Sequence, residues 1–128
     1  MRVRDMLRYK DNKIHFTTKD TPLLKAIDML NYYNIGALLV KEDKKLKGII
    51  TERDILHALS KYGQRFFELN VQDIMTTKLI TCTADDDLKL VMSVMTKKHI
   101  RHLPVLDKEI PIGIISIGDV VKGQLEEV

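Results

Sequence analysis

The sequence predicts a mixed α/β sandwich, an α+β architecture built from two tandem β-α-β-β-α repeats. The main observation is a duplication, because residues 14–54 superpose on residues 79–119 without a gap. Both copies end in a glycine-led apolar strand, then a hydroxyl residue, two spacers and an aspartate. A half of this size is marginal alone, so the two should share one core. We therefore divide the 128 residues into repeat 1 (1–65) and repeat 2 (66–128), together one compact module.

An extended segment opens each repeat, at residues 14–17 and 79–82, and an amphipathic helix follows it. In repeat 1, Asp20 and Thr21 supply capping residues, and Pro22 is expected in the first turn of the helix. Apolar residues recur at positions i, i+3, i+4 and i+7 in both helices, which predicts a core-facing stripe. The stripes are Leu23, Ala26, Ile27 and Leu30 in repeat 1, and Leu88, Val91, Met92 and Met95 in repeat 2.

Two strands and a second helix complete each repeat. Residues 60–70 connect the repeats and include Phe66, Phe67 and Leu69, so we expect an ordered connector packed on the core, since flexible linkers rarely carry that much apolar bulk. The expected ranges are buried strands at 35–40 and 100–105, polar turns at 41–45 and 107–109, strands from 46 to 51 and 110 to 116, and helices that run from Asp54 towards Ser60 and from Asp119 towards Leu125.

Composition argues against several classes of function. The net charge of +3 is spread along the chain in both signs, whereas a nucleic-acid surface gathers Lys and Arg on one face. No membrane span or signal peptide is visible, so we expect a cytoplasmic protein without membrane contact.

The single cysteine, Cys82, should be an inert half-buried thiol. His99 and His102 lack a cysteine or acid at ligand spacing, so we predict no metal site. Catalytic motifs are absent from the sequence, which predicts that the protein is not an enzyme.

The hydroxyl-x-x-aspartate motifs, Thr51 to Asp54 and Ser116 to Asp119, have two interpretations. One is a capping box at the start of a helix. The other is a ligand site, because the acid is aspartate in both copies and the motif follows a glycine-led strand, where backbone can approach a ligand closely. A helix N-terminus offers N–H groups to an anion, and a carboxylate beside it can accept hydrogen bonds from a ribose diol. The two roles are compatible.

Arg101 and His102 distinguish the repeats, since Gly36 and Ala37 occupy the matching positions. Burial of an unpaired charge is costly, so we expect these side chains to point to solvent or to a phosphate, which arginine matches in geometry and charge. A surface ion pair is the alternative. Arg53, inside the first motif, is a further phosphate candidate, with a salt bridge on the helix surface as its alternative.

These motifs resemble the CBS domain, two of which form a Bateman module. Residues 48–55 (GIITERDI) and 99–105 (HIRHLPV) are typical of that family, and the resemblance extends from about Val3 to Val121. It implies two repeats paired about a pseudo-twofold axis, with two clefts that bind AMP, ADP or ATP, or in some members S-adenosylmethionine. It further implies a stand-alone regulatory module that signals to an unidentified protein and requires no cofactor beyond its bound nucleotide.

The resemblance also implies the roles of individual residues. Because Gly36 and Ala37 bring no positive charge, we expect unequal sites, with the Asp119 site stronger and the Asp54 site weaker or empty. The implied nucleotide-binding residues are Asp54 and Asp119 for the ribose hydroxyls, Thr51 and Ser116 for ribose or phosphate, Ile14, His15, Leu79 and Ile80 around the adenine, and Ile100, Arg101, His102 and Pro104 lining the second cleft, with Arg53 reaching the same phosphates.

A homodimer is implied as well, through a symmetric four-helix contact of the terminal helices. Two other functions stay open: a sensor of an S-adenosylmethionine-type ligand, and a ligand-free structural adaptor that dimerises and docks onto a partner. Nucleic-acid binding, known for a few members, has little support from the modest charge. The apolar positions expected at the dimer contact are Ile55, Leu56, Leu59, Val120, Val121 and Leu125.

Overall fold

The computed structural model describes residues 1–10 and 13–126, which fall into two compact units. His15–Leu79 forms one, the repeat-1 unit, and Met1–Ile14 joins Ile80–Val128 in the other, the repeat-2 unit. The boundary predicted at residue 65 follows the duplication, whereas packing groups residues 66–79 with repeat 1 and the first helix of the chain with the repeat-2 unit. The buried residues form one core cluster in each unit, where the sequence predicted a single shared core.

Helices and strands follow the predicted β-α-β-β-α order in repeat 1, and in repeat 2 they follow it from its first long helix onward, so the mixed α+β class is confirmed. None of the helices formed by the described residues combines the length and apolar character that a membrane crossing requires. In chain order the elements are α1 (Val3–Tyr9), β1 (Phe16–Thr17), α2 (Leu23–Tyr33), β2 (Ala37–Glu42), β3 (Lys45–Thr51), α3 (Glu52–Tyr62), a 3-10 helix (Gly63–Glu68), α4 (Val71–Ile74), α5 (Leu88–Lys98), β4 (His102–Asp107), β5 (Ile110–Ser116) and α6 (Ile117–Glu126).

The repeat-1 unit has a three-stranded sheet in the order β1-β2-β3, parallel in the first pair and antiparallel in the second. Its core joins the predicted α2 stripe to Leu38 and Val40 of β2 and Ile50 of β3. The expected connector is ordered as the 3-10 helix, with Phe66 in this core. Phe67, however, is 63% exposed, because consecutive side chains of a tight helix point in different directions.

The repeat-2 unit has a two-stranded antiparallel sheet, β4-β5. The extended segment at 79–82 does not form a full strand here and pairs with β4 only through a bridge between Cys82 and Val105. α1 contributes Val3 and Met6 to the core of this unit, where they join the predicted α5 stripe. A helix from the start of the chain thus helps to bury the apolar face of the second repeat.

Several boundaries differ from those predicted. Pro22 is the N-cap of α2 rather than part of its first turn, because its ψ of 140° is extended. α3 and α6 begin at Glu52 and Ile117, two residues before the aspartates, which occupy the third helical position.

The set of residues expected at the dimer contact also changes. Val120 is fully buried in the core of its unit and Ile55 packs against the other core, because their positions face inward on α6 and α3.

Cys82 is buried, more completely than expected. Burial, reinforced by the nearby Asp86 carboxylate, raises the pKa of the Cys82 thiol to about 12. The thiol therefore stays protonated and unreactive at neutral pH, since the thiolate is the nucleophilic form.

The matched glycines Gly48 and Gly113 should differ in their tolerance of a methyl group. A Cβ at Gly48 would lie 2.9 Å from the backbone oxygen of Thr76, whereas one at Gly113 would meet Cδ2 of Leu7, which can rotate away. We expect Gly48→Ala to lower the free energy of unfolding by about 1–3 kcal/mol and Gly113→Ala to lower it less, measured by urea denaturation. A larger loss for Gly113→Ala would contradict this ranking.

Thr17→Val should stabilise the protein. Thr17 is 6% exposed, and its Oγ1 has no hydrogen-bond partner among the residues that the structure describes. Valine keeps the β-branched shape without a buried unsatisfied hydroxyl, so we expect a gain of about 1 kcal/mol in urea denaturation. Thr18→Val is the control, because the Thr18 hydroxyl is exposed and bonded to Thr21. An equal gain in the free energy of unfolding for both variants would show that the missing hydrogen-bond partner of the Thr17 hydroxyl does not matter.

Candidate functional site

The centre of the candidate site is the turn from β5 into α6, which we call the repeat-2 junction (residues 114–119). The Ser116 amide donates to Oδ2 of Asp119 at 2.8 Å, and the Asp119 amide donates to the Ser116 hydroxyl at 3.2 Å. These reciprocal bonds satisfy two donors that a helix start otherwise leaves unpaired. The capping interpretation is therefore confirmed for this motif, and it fixes the Asp119 carboxylate at the start of the helix.

The backbone brings Arg101 and His102 to the same junction. The Ile117 amide donates to the carbonyl oxygen of Arg101 at 2.9 Å, and His102 is paired with Ser116 in the ladder between β4 and β5. The Arg101 side chain is exposed and that of His102 is half-buried. Within the described ranges, Arg101 is in none of the ion pairs. The backbone of Arg101 is thus fixed at the helix start, and its exposed side chain is in no ion pair with an acid among the described residues.

Lys10 is a member of the junction that the sequence did not reveal. Its ammonium donates to Oδ2 of Asp119 and to the carbonyl oxygen of Ile114, both at 2.6 Å. The side chains of Lys10 and Asp119 are 28% and 15% exposed, so the pair is only partly screened by water. Lys10 precedes the duplicated segment and is one of 21 Lys and Arg residues, so no sequence signal could have singled it out.

The two oxygens of Asp119 are therefore not equivalent. Oδ2 accepts hydrogen bonds from the Ser116 amide and the Lys10 ammonium. Across residues 1–10 and 13–126, no hydrogen bond reaches Oδ1. The carboxylate thus combines a firmly held oxygen with one that can accept a donor from outside the chain.

The matching turn from β3 into α3, the repeat-1 junction (residues 49–54), has the same backbone but different chemistry. The Thr51 amide and hydroxyl donate to Oδ2 of Asp54 at 2.9 and 3.0 Å. The Thr76 hydroxyl donates to Oδ1 at 3.1 Å, and the Glu52 amide donates to the Gly36 carbonyl at 3.1 Å. Both oxygens of this carboxylate are therefore engaged, and neutral groups occupy the positions that hold Lys10 and Arg101 at the other junction.

The remaining predicted site residues are distributed over both units. Arg53 is exposed on α3. The His15 ring stacks on Tyr33 with centroids 3.8 Å apart, while its carbonyl accepts the Leu39 amide, so both parts of His15 have partners within its unit. Of the others, Leu79 belongs to the repeat-1 unit and is half-buried, as are Ile14, Ile80 and Ile100 of the repeat-2 unit, while Pro104 is buried in β4.

Comparison with protein families gives a match in both repeats. A family model described as the CBS domain matches residues 3–61 and 71–126. The mitochondrial CBS domain-containing protein CBSX3 of Arabidopsis thaliana is 37% identical over 98% of this chain, which spans 65% of the length of that relative. The CBS domain-containing protein YhcV of Bacillus subtilis is 31% identical over 79% of this chain and 71% of its own length.

Solved structures are similar over nearly the whole chain. A CBS-domain containing protein from Agrobacterium tumefaciens superposes with a TM-score of 0.94 and 33% identity, over 97% of this chain and 99% of its own. The CBS domain pair of protein MJ0100, solved in complex with 5'-methylthioadenosine and S-adenosyl-L-methionine, superposes with a TM-score of 0.85 and 26% identity, over 97% and 99% of the two chains. With both repeats matched and the fold shared along its length, the chain belongs to the CBS-domain family, as a tandem pair.

Proposed function

We propose that this CBS-domain pair is a regulatory, non-catalytic module that senses an adenosine nucleotide at the repeat-2 junction and signals its presence to a partner protein. The observation that carries the proposal is the Asp119 carboxylate, held at the start of α6 while its Oδ1 accepts no hydrogen bond from the described residues. A ribose diol supplies two O–H donors, which such an acceptor matches.

Positive charge near the carboxylate supports a phosphorylated ligand. The Arg101 carbonyl is bonded to the first amide of α6, so the backbone of an arginine with an exposed side chain adjoins the helix start, and its guanidinium would be available to a phosphate there. Arginine binds phosphate through paired N–H groups, and a helix N-terminus favours negative charge. His102, paired with Ser116, would add a second donor. AMP, ADP and ATP combine the diol and the phosphate that these groups require.

The remaining site residues take the roles that the family implies. Half-buried apolar side chains at Ile80 and Ile100 offer a surface for adenine. Serine and threonine at the ends of β5 and β3 would reach ribose or phosphate. Ile14, His15, Leu79, Pro104 and Arg53 complete the proposed set. The repeat-1 junction would be the weaker site, because Thr51 and Thr76 already occupy both oxygens of Asp54 and no arginine stands at position 36.

A second ligand class has a specific observation in its favour. Protein MJ0100, at 26% identity, was solved with 5'-methylthioadenosine and S-adenosyl-L-methionine. These ligands share the adenosine of AMP but replace the phosphate with a thioether or a sulfonium. The charge of the ligand tail therefore separates the two alternatives, and a panel of adenosine ligands can decide between them.

Binding would act by shifting a conformational equilibrium. A ligand changes the populations of two states only by the difference between its affinities for them. The turn from β5 to α6 would respond directly, since ligand donors at Asp119 add to the hydrogen bonds that hold the helix start. The partner protein that receives the signal is proposed on family grounds alone.

Asp119→Asn should weaken AMP binding about 10- to 100-fold, because a hydrogen bond to a charged group contributes about 1.5–3 kcal/mol. Isothermal titration calorimetry with AMP measures the affinity. Asn retains an oxygen that can accept the Ser116 amide, so we expect the fold to survive. Asp54→Asn is the matched control and should reduce AMP affinity less. If Asp54→Asn is the more damaging substitution, the repeat-1 junction is the main site and our ranking is wrong.

We also propose a homodimer formed through α3 and α6. Leu56 and Leu59 on α3 and Val121 and Leu125 on α6 are 42% to 70% exposed, and the members of each pair are three or four residues apart, which puts them on one face of their helix. An isologous contact of the same helices from two copies would cover them. This surface is smaller than the sequence indicated, since Ile55 and Val120 belong to the cores.

Sedimentation velocity at micromolar concentration should therefore give twice the 14.8 kDa mass of one chain. Leu56→Glu and Leu125→Glu should each shift the protein towards monomer, because a carboxylate in an apolar contact loses its hydration. Leu90→Glu, at a leucine on α5 that is 55% exposed, should leave the dimer intact. A monomeric parent protein would refute the proposal.

A further inference from the structure

The two junctions are bridged by different groups at matched positions. In the repeat-1 unit, Thr76 spans the junction: its amide donates to the carbonyl of Ile49 at 2.9 Å, and its hydroxyl donates to Asp54 at 3.1 Å. Ile49 and Asp54 correspond to Ile114 and Asp119 in the duplication. In the repeat-2 unit a single group, the Lys10 ammonium, donates to both the Ile114 carbonyl and the Asp119 carboxylate, at 2.6 Å each. A charged side chain thus does at one junction what a neutral threonine does at the other.

Helix length accounts for the difference. α4 has four residues and is followed directly by a segment whose Thr76 backbone pairs with Ile49. α1 has seven residues, and Lys10 is its C-cap, with extended backbone at φ −96° and ψ 153°. α1 is thus three residues longer than α4. The edge of β5 is therefore reached by the long side chain of Lys10 at the end of α1, whereas the edge of β3 is reached by the backbone of Thr76.

We propose that Lys10 determines ligand specificity at the repeat-2 junction, favouring adenosine ligands with an anionic tail over those with an uncharged or cationic tail. The inference rests on the proposed function, because it concerns the same carboxylate. A ribose diol has two hydroxyls: one can bind the open Oδ1 of Asp119, while the other meets Oδ2, which is already bonded to the Lys10 ammonium. At Oδ2 the ligand must therefore share the oxygen with the lysine or displace it.

The charge of the ligand then decides the outcome. A phosphate compensates the ammonium for any weakening of its bond to Asp119, and the flexible lysine stem allows the ammonium to follow the phosphate. A thioether carries no negative charge, so it cannot replace the bond that the Lys10 ammonium loses to Asp119. A sulfonium adds a further positive charge to those of Lys10 and Arg101, and like charges repel more strongly where water is partly excluded. The repeat-1 junction has no such selection, because Thr76 is neutral.

Calorimetric affinities for AMP and 5'-methylthioadenosine test this inference, since the two ligands share an adenosine and differ in tail charge. We expect the parent protein to prefer AMP. Lys10→Met should reduce the ratio of AMP affinity to 5'-methylthioadenosine affinity at least about tenfold, because that factor corresponds to the free energy of one charge-assisted hydrogen bond. Lys10→Arg should restore much of the preference. Lys97→Met removes an exposed lysine from α5 in the same unit and should leave the ratio unchanged.

The outcomes separate the two proposals. Binding of both ligands with the same ratio in the parent protein and Lys10→Met overturns the role of Lys10 and leaves nucleotide sensing intact. Binding of neither ligand to the parent protein overturns both. Thermal unfolding without ligand verifies that each variant is folded. If Lys10→Met is unfolded, Lys10→Gln replaces it with the same expectation, because the glutamine amide can still donate to the Ile114 carbonyl while lacking the charge.

Discussion

The reciprocal hydrogen bonds between a hydroxyl residue at the end of a strand and an aspartate three residues later are the constraint on which both units depend. They end β3 and β5, start α3 and α6, and fix the carboxylate at the helix N-terminus. Because only one oxygen of the carboxylate is needed for capping, the same residue can hold a helix and offer an acceptor to a ligand. Structure and proposed function therefore share one side chain, whose position is set by the hydrogen bonds that start the helix.

The duplication shows how surroundings change the chemistry of one motif. Both aspartates cap a helix, yet Thr76 donates to Oδ1 of Asp54, whereas Lys10 donates to Oδ2 of Asp119 and leaves Oδ1 without a partner among the described residues. Arg101 adds charge where repeat 1 has a glycine. The fold alone implies two similar sites. The residues around each carboxylate make them different, in agreement with the general observation that function resides in sites rather than in folds.

Membership of the CBS-domain family is compatible with several ligands, and the similar structures do not choose among them for this chain. We therefore argue the choice of ligand from the charges around the Asp119 carboxylate. The Lys10 ammonium bonded to the partly buried Asp119 carboxylate, with Arg101 joined through its backbone to the same helix start, supports our proposal of a ligand that carries both hydroxyls and negative charge, because each group would then retain a partner when water is displaced. The exposed aliphatic side chains on α3 and on α6 support a separate proposal, the homodimer.

The sequence by itself determined the repeat, the order of helices and strands, the core stripes and the capping aspartates. All of these arise from local periodicity and from contacts within a few residues, which a single sequence records directly. It also identified Arg101 and His102 as the difference between the repeats. Tertiary structure alone decided that α1 packs with repeat 2, that Val120 is core rather than surface, and that Lys10 is bonded to Asp119 across 109 positions. The physical reason is that such contacts depend on helix length and on how the chain returns to a sheet edge, and neither leaves a periodic trace in the sequence.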